Sequence, residues 1–268
     1  MQQPLGIFDS GIGGLTVANA IVRALPHEKI IYFGDTAHMP YGEKSPAAIQ
    51  HYSRHITNFL LQKNCKAIVV ACNTASAVAS EYLREILPAN VPLINVIDPL
   101  ISDVQKSALT HIGIIGTKAT IASGVYSRKL RHNIPHVRVV AKASRSLAQI
   151  IEEGLYQNPP IIQALIEHYL GAPDMENIEG LILACTHYPL IKNDIDYYYK
   201  SSVKIFDSTE IVAENLRQQL HKQKILDSTK KIPQHHFFVS DLTDSFTDAA
   251  NLFFGKNIHL ELADIWND

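Results

Sequence analysis

Short apolar runs alternate with longer stretches of helical period along most of this chain. In the first part, residues 5–8, 30–33, 67–71 and 93–96 are apolar at consecutive positions and rich in β-branched side chains. Such runs are typical of strands that are covered on both faces, and alternation with helices indicates parallel connections. We therefore predict an α/β fold of βα units, with mostly parallel sheets flanked by helices.

The stretches between these runs carry apolar residues at the spacing of an amphipathic helix. Ile49, Tyr52 and Ile56 recur on one helix face, which predicts contacts with the core. Directly after the fourth run, Asp98 precedes Pro99, and this pair predicts a helix start with Asp98 as the N-cap. We place a domain crossing at this point.

The second part of the chain repeats the same plan. Residues 112–116, 137–141, 181–184 and 203–206 predict four more strands, and residues 237–239 and 259–262 are two weaker candidates. A glycine inside the first run and a cysteine after a later run recur at similar spacing, as Gly6 with Cys72 and Gly113 with Cys185. We predict two similar, pseudosymmetric α/β domains, residues 1–97 with 208–268 and residues 98–207, with an active site in the cleft between them.

Composition excludes several classes of protein. The 268 residues carry 24 Lys and Arg against 26 Asp and Glu, and this net charge of −2 lacks the basic excess typical of nucleic-acid binding. No stretch reaches the roughly 18 consecutive apolar residues of a membrane-spanning helix, and residues 1–5 show no secretory leader. Three cysteines are an odd, sparse set, typical of free thiols in a reducing compartment. We expect a cytoplasmic protein with no nucleic-acid or membrane partner.

Cys72 and Cys185 occupy matching positions, each where an apolar run gives way to a turn. Residues suited to begin a helix follow each of them, so we expect backbone N–H groups to point at each sulfur. Such groups would lower the pKa of a thiol from its free value of about 8.5. The alternative is that each cysteine is a small buried hydrophobic residue. The duplicated setting favours reactive thiols, whereas Cys65 lacks this setting and is predicted to pack in the core.

Two other kinds of cysteine site are weaker alternatives. A zinc site from Cys72, Cys185 and His187 matches none of the common spacings of zinc ligands. A redox pair is disfavoured because the sequence contains no C-x-x-C.

Two glycine-containing turns follow the first two predicted strands. The turn at residues 8–14 contains Gly11, Gly13 and Gly14, which allow the backbone to approach an anion closely. The alternative is a tight turn in which Asp9 or Ser10 caps a helix. The turn at residues 34–42 is long enough to form a wall of a pocket, or it is a surface loop.

Four motifs, in order, resemble the motif set of the glutamate racemases, in the aspartate/glutamate racemase family. They are Phe8-Asp9-Ser10-Gly11-Ile12-Gly13-Gly14, Gly34-Asp35 with Pro40-Tyr41-Gly42, Ala71-Cys72-Asn73-Thr74-Ala75-Ser76, and Cys185-Thr186-His187-Tyr188-Pro189. Gly116-Thr117 with Thr120, Ser123 and Tyr126 also fits this family. The resemblance covers positions 5–215.

The resemblance implies interconversion of L- and D-glutamate without cofactor or metal, with D-glutamate serving peptidoglycan synthesis. Cys72 and Cys185 would be the acid/base residues, and Asp9 and His187 would assist them. Substrate contacts would come from Asp9, Ser10, Tyr41, Gly42, Asn73, Thr74, Thr117, Thr186 and His187. A homodimer is expected because family members are commonly dimers, and some members are activated by a peptidoglycan precursor.

The sequence departs from the family pattern at two places. Ala184 stands where many members have glycine, and residues 141–147 lack the Cys-Pro that many members carry before an acidic pair. Glu152 and Glu153 are therefore not included in the predicted site, and we expect them on a solvated helix face.

Three alternative functions stay open at this point. The first is an aspartate racemase of the same superfamily. The second is a cysteine hydrolase with one nucleophilic cysteine and His187 as its base. The third is a two-domain regulator that binds an amino acid and exchanges no Cα proton.

Overall fold

The computed structural model describes residues 3–229, 231–255 and 257–266. Its strands are β1 (Leu5–Asp9), β2 (Ile30–Gly34), β3 (Ala67–Val70), β4 (Leu93–Asn95), β5 (His111–Gly116), β6 (Arg138–Ala143), β7 (Gly180–Ala184), β8 (Lys204–Phe206), β9 (His236–Val239) and β10 (Leu260–Leu262). All ten runs that the sequence predicted are strands, within one or two residues at each end.

Helices connect these strands. They are α1 (Leu15–Ala24), α2 (Pro46–Gln62), α3 (Asn73–Ile86), α4 (Ile97–Lys106), α5 (Lys118–Ser123), α6 (Val125–Asn133), α7 (Leu147–Glu152), α8 (Pro159–Leu170), α9 (Lys192–Tyr198), α10 (Thr209–Lys222) and α11 (Asp244–Phe254). Short 3-10 helices include Tyr41–Glu43 and Tyr188–Ile191. Within the described ranges, no helix combines the length and the apolar character that crossing a membrane requires.

The strands form two parallel sheets. The first has the order β10-β9-β2-β1-β3-β4 and the second the order β6-β5-β7-β8. The order β2-β1-β3-β4 in the first sheet matches the order of the whole second sheet, which confirms the predicted pair of similar α/β units. The first sheet is larger because β9 and β10 extend it beyond β2. The predicted domain limits, 1–97 with 208–268 and 98–207, stay a prediction.

The central strands are buried because helices cover both faces of each sheet. β1, β2 and β3 are buried over their whole lengths. Neighbouring residues such as Ile7 and Phe8 belong to different core clusters, since successive side chains of a strand point to opposite faces. β6 lies at the edge of its sheet and is partly exposed.

The start of α4 differs from the prediction, and Asp98 is not its N-cap. The helix begins at Ile97, and the Asn95 side-chain oxygen accepts hydrogen bonds from the N–H groups of Ile97 at 2.9 Å and Asp98 at 2.8 Å. The Asp98 carboxylate instead pairs with Arg84 at 2.8 Å and Lys129 at 2.9 Å. The prediction was wrong because Asn95, at the end of β4, folds back onto the first N–H groups.

Candidate active site

A cavity of about 480 Å³ lies at the carboxyl ends of the central strands of both sheets. In parallel sheets this is the edge where ligands bind. The predicted residues on its wall are Ser10, Tyr41, Gly42, Cys72, Asn73, Thr74, Thr117, Cys185, Thr186 and His187. Asp9, the remaining predicted residue, is fully buried and is not part of this wall. The fold therefore brings together residues that are as far apart as 10 and 187 in the sequence.

Cys72 lies at the start of α3, as predicted. Its sulfur accepts a hydrogen bond from the N–H of Ala75 at 3.4 Å and lies 3.6 Å from Oγ of Ser10. Burial, with a smaller contribution from the charge of Asp9, nevertheless raises the pKa of the Cys72 thiol to about 12. The prediction of a lowered pKa was wrong for Cys72, because burial destabilises the thiolate by more free energy than the hydrogen bonds from N–H groups restore.

Asp9 is the last residue of β1, and its carboxylate is held by the glycine-rich turn. Oδ2 accepts hydrogen bonds from the N–H groups of Gly11 at 3.2 Å and Gly14 at 3.0 Å. A Cβ at Gly14 would lie 2.5 Å from the Asp9 Cβ, so this close approach requires glycine. Burial raises the pKa of Asp9, while His187 and the two N–H groups oppose that rise. Oδ1 is buried without a hydrogen-bond partner in the described part of the chain.

Cys185 directly follows β7, and its surroundings differ from those of Cys72. The next helical residues form the 3-10 helix Tyr188–Ile191, and α9 begins only at Lys192. The residues after Cys185 do begin a helix, as predicted, but it is a 3-10 helix with His187 at its N-cap position. The imidazole of His187 lies beside the Cys185 sulfur, with its Nδ1 atom 3.6 Å away. Two matching sequence positions thus have different electrostatic environments.

His187 links Cys185 to a carboxylate that the sequence analysis did not include. Its Nε2 lies 2.7 Å from Oε1 of Glu152 at the end of α7. Burial opposes a charged imidazole, but Cys185 and Glu152 outweigh it and raise the pKa of His187 well above its ordinary value. The expectation of a solvated face was wrong for Glu152, whose side chain is 17% exposed. Glu153 is exposed, but it too lies on the cavity wall, and its carboxylate accepts a hydrogen bond from Gln149.

Three threonine hydroxyls join helices from the two halves of the site. Oγ1 of Thr74 on α3 lies 2.9 Å from Oγ1 of Thr117 and 3.1 Å from Oγ1 of Thr120 on α5. Gly42 packs against Thr117, and a Cβ added at Gly42 would lie 2.8 Å from the Thr117 Cβ. The absence of a side chain at Gly42 therefore permits this close contact across the cavity.

Two further polar side chains of the wall, Tyr41 and Asn73, are hydrogen-bonded to residues outside the cavity wall. The Tyr41 hydroxyl donates to Oδ2 of the buried Asp35 at 2.6 Å. Asn73 accepts a hydrogen bond from the Tyr126 hydroxyl at 2.6 Å through Oδ1, while its buried Nδ2 has no partner among the described residues. Asn73 therefore has one donor that no described residue uses.

The sequence analysis also missed parts of the cavity wall. Ser245, Phe246 and Ala249 of α11 line the cavity, as do Ser144 and Arg145 after β6. Nothing in their local sequence distinguishes them, because α11 reaches the site only after β9 has joined the sheet beside β2. Across residues 3–229, 231–255 and 257–266, no group of three or more His, Cys, Asp and Glu side chains is arranged to hold a metal ion.

Known proteins that resemble this chain share both its sequence and its fold. The family described as Asp/Glu/Hydantoin racemase matches residues 10–216. A glutamate racemase of Geobacter metallireducens is 40% identical over 257 residues, 95% of this chain and 93% of that protein. The crystal structure of glutamate racemase from Francisella tularensis in complex with D-glutamate superposes with a TM-score of 0.93 at 36% identity, covering 100% of this chain and 99% of that chain. A glutamate racemase isoform of Bacillus anthracis superposes with a TM-score of 0.91 at 35% identity, covering 98% and 97%. This chain therefore belongs to the Asp/Glu/hydantoin racemase family.

Proposed function

We propose that this chain interconverts L- and D-glutamate without a cofactor, using Cys72 and Cys185 as its two acid/base residues. The observation that carries the proposal is that two thiols, one after β3 of the first sheet and one after β7 of the second, line one cavity. Similarity to glutamate racemases, one of them solved with D-glutamate, supports glutamate as the substrate.

Racemisation by this pair needs only proton transfers. The thiolate of one cysteine removes the Cα proton and becomes a thiol, while the thiol of the other delivers its proton to the opposite face of Cα and becomes a thiolate. The substrate leaves with inverted configuration, and the two sulfurs have exchanged protonation states. The reverse reaction then begins with the other cysteine as the base.

The environments of the two sulfurs suggest how the protons are distributed before glutamate binds. Burial and Asp9 disfavour negative charge on Cys72, so we assign a proton to Cys72 in the empty enzyme. The His187 imidazole, whose pKa is raised by Cys185 and Glu152, lies 3.6 Å from the Cys185 sulfur. Asp9 and His187 act on the two sulfurs through charge, and Glu152 acts through His187 as a positioning residue.

Negative charge that develops toward the α-carboxylate during proton removal needs hydrogen-bond donors already in place. The start of α3 supplies N–H groups, and Nδ2 of Asn73 is a buried donor without a partner in the described chain. Ser10 and Thr186 add hydroxyls to the wall. Enclosure between two α/β units also keeps water away from the carbanion-like species.

The test follows exchange of the Cα proton by NMR in deuterated buffer, with L-glutamate, D-glutamate and L-aspartate in separate samples. We expect both glutamate enantiomers to exchange and to lose optical rotation, and aspartate to stay inert. Exchange of aspartate alone would make the chain an aspartate racemase. A covalent adduct with no exchange would favour the cysteine hydrolase, and binding with no exchange would favour the regulator.

Variants of the cysteines complete this test. Cys72→Ala and Cys185→Ala should each abolish racemisation, since each removes one of the two proton carriers. Cys65→Ala is the matched control, because Cys65 is a buried core residue outside the cavity.

The role of D-glutamate in peptidoglycan synthesis belongs to this proposal. Growth of a D-glutamate auxotroph on expression of the chain would test that role. The cytoplasmic location, the homodimer and activation by a peptidoglycan precursor stay predictions.

A further inference from the structure

Asp35 is a fully buried carboxylate that the mechanism above does not use. It directly follows β2, and its side chain is not part of the cavity wall. Its Oδ2 accepts a hydrogen bond from the Tyr41 hydroxyl at 2.6 Å, and its Oδ1 accepts one from Oγ of Ser240 at 2.7 Å. Nδ1 of His38 lies 2.9 Å from the same Oδ1. Because a buried carboxylate needs partners of this kind, Asp35 holds side chains from two distant parts of the sequence.

The contact with Tyr41 fixes one wall of the cavity. Tyr41 and Gly42 both line the cavity, and the bond from the Tyr41 hydroxyl to Asp35 has the short length typical of an O–H group that donates to a carboxylate. Gly42 packs against Thr117, since an added Cβ would lie 2.8 Å from the Thr117 Cβ. Tyr41 and Gly42 are neighbours in one 3-10 helix, so a displacement of Tyr41 would also change the fit of Gly42 against Thr117.

The contact with Ser240 ties a second wall of the cavity to the same carboxylate. Ser240 directly follows β9. Beside it, the N–H of Asp241 donates to Oγ1 of Thr36 at 2.8 Å, so the residues after β2 and after β9 are joined at two neighbouring places. Helix α11 begins three residues after Asp241 and lines another part of the cavity. Asp35 therefore lies between the segment that carries Tyr41 and the segment that leads into α11.

The packing of His38 keeps the carboxylate in place. The His38 ring stacks on Tyr52 of α2, with the ring centroids 4.1 Å apart, and it meets Trp266 edge-on at 4.5 Å. These two aromatic side chains hold the imidazole against Asp35. A group that positions others must itself be held by packing and hydrogen bonds, and Asp35 meets that requirement.

We propose that Asp35 is a positioning residue for glutamate binding, and that its carboxylate fixes both the cavity wall at Tyr41 and Gly42 and the wall formed by α11. This inference rests on the proposed function and goes beyond it, because Asp35 acts from outside the wall, through Tyr41 and Ser240. Two hydroxyl donors on one side chain need two acceptor oxygens. A carboxylate supplies both, whereas an amide supplies only one.

The experiment measures steady-state racemisation of both glutamate enantiomers by the full chain carrying Asp35→Asn. One of the two hydroxyls, Tyr41 or Ser240, then faces an NH2 group and loses its acceptor. We expect KM to rise about tenfold for each enantiomer, because the walls that bind glutamate are displaced. We expect kcat to fall by less than about threefold, because the two cysteines stay in place.

Asp207→Asn is the matched control for loss of a buried carboxylate. Asp207 is largely buried and accepts hydrogen bonds from Lys192 and Thr209 outside the cavity. Its replacement should leave KM unchanged. An equal rise of KM in the two variants, or a fall of kcat without a rise of KM in Asp35→Asn, would refute the proposal.

A double-mutant cycle shows whether Asp35 acts through Tyr41. In Tyr41→Phe the side chain no longer donates to Asp35, so adding Asp35→Asn should raise KM by a smaller factor than it does in the unsubstituted chain. Equal factors in the two backgrounds would show that this contact does not carry the effect, and the proposal would fail.

A milder variant covers the case in which Asp35→Asn does not fold. Ser240→Ala keeps the carboxylate and removes one of its donors, so KM should rise about threefold. Ser202→Ala is the matched control, because the Ser202 hydroxyl donates to the Tyr199 carbonyl outside the cavity, and it should leave KM unchanged. An unchanged KM in Ser240→Ala would overturn the proposal.

Calorimetric titration with D-glutamate separates this proposal from the proposed function, since binding needs no turnover. Weaker binding by Asp35→Asn in a chain without racemase activity would uphold the role of Asp35 and reject racemisation. Equal affinity of Asp35→Asn and the unsubstituted chain, with racemase activity present, would reject the role of Asp35 and leave the proposed function in place.

Discussion

Replacing Glu152 with Gln should destabilise the fold only where His187 is charged. The Glu152 Oε1 and His187 Nε2 atoms are 2.7 Å apart, and their side chains are 17% and 9% exposed, so solvent screens the pair weakly. A charged hydrogen bond contributes about 1.5–3 kcal/mol and a neutral one about 0.5–1.5 kcal/mol. Gln keeps an acceptor oxygen and removes the charge, so we expect a loss of about 1–1.5 kcal/mol in the free energy of unfolding.

The pH dependence of this loss has a defined sign. Cys185 and Glu152 raise the pKa of His187 in the folded state above its ordinary value, so the charged pair stabilises the fold fully below about pH 6.5 and ceases to do so as pH rises through the raised pKa. The penalty of Glu152→Gln should therefore be largest near pH 6 and should fall as pH rises through the raised pKa of His187.

Urea unfolding at pH 6 and at pH 10 measures this difference. Glu153→Gln is the matched control, because it removes the same charge from the neighbouring residue. The Glu153 side chain is exposed and is bonded to Gln149. An equal penalty for Glu152→Gln at both pH values, or an equal penalty for the two variants, would show that the ion pair with His187 is not the cause.

Three further predictions concern the cavity itself. In the chain without substrate, alkylation of Cys72 should still be accelerating above pH 9, because burial raises its pKa to about 12; a plateau near pH 8 would contradict this. Gly13→Ala should lower kcat/KM at least tenfold, because the new Cβ would lie 2.5 Å from Oγ1 of Thr186 and displace that wall of the site. Tyr126→Phe should raise KM several-fold more than it lowers kcat, since it frees Asn73 Oδ1; steady-state kinetics with each glutamate enantiomer would show the split.

Secondary structure was the most predictable level of this protein. Strands such as β1 and β3 are covered by helices on both faces, and this environment imposes a run of apolar residues that can be read directly. The duplicated plan was visible for the same reason. A cysteine follows β3, the neighbour of β1 in the first sheet, and another follows β7, the neighbour of β5 in the second sheet. The cap of α4 was not predictable, because Asn95 and Asp98 are both good caps and only the backbone path selects one of them.

Membership of the site was largely predictable, and its electrostatics were not. Motifs at the ends of parallel strands must meet at one edge of a sheet, so Cys72, Asn73 and Thr74 were expected there. The pKa of Cys72 depends instead on how deeply the closed cavity buries its sulfur, which no local pattern records. Glu152 shows the same limit, because an acidic pair at a helix end does not reveal which carboxylate turns inward.

The sequence by itself determined the parallel α/β architecture, the duplication and the residue types at the strand ends, because periodicity and turn chemistry are local properties of the chain. Tertiary structure alone decided that burial and Asp9 raise the pKa of Cys72 whereas Cys185 lies against an imidazole, and that Glu152 and α11 join the cavity. Burial and charge pairing act over a few ångströms between segments far apart in sequence. They come into existence only when the two sheets and the tail are packed together.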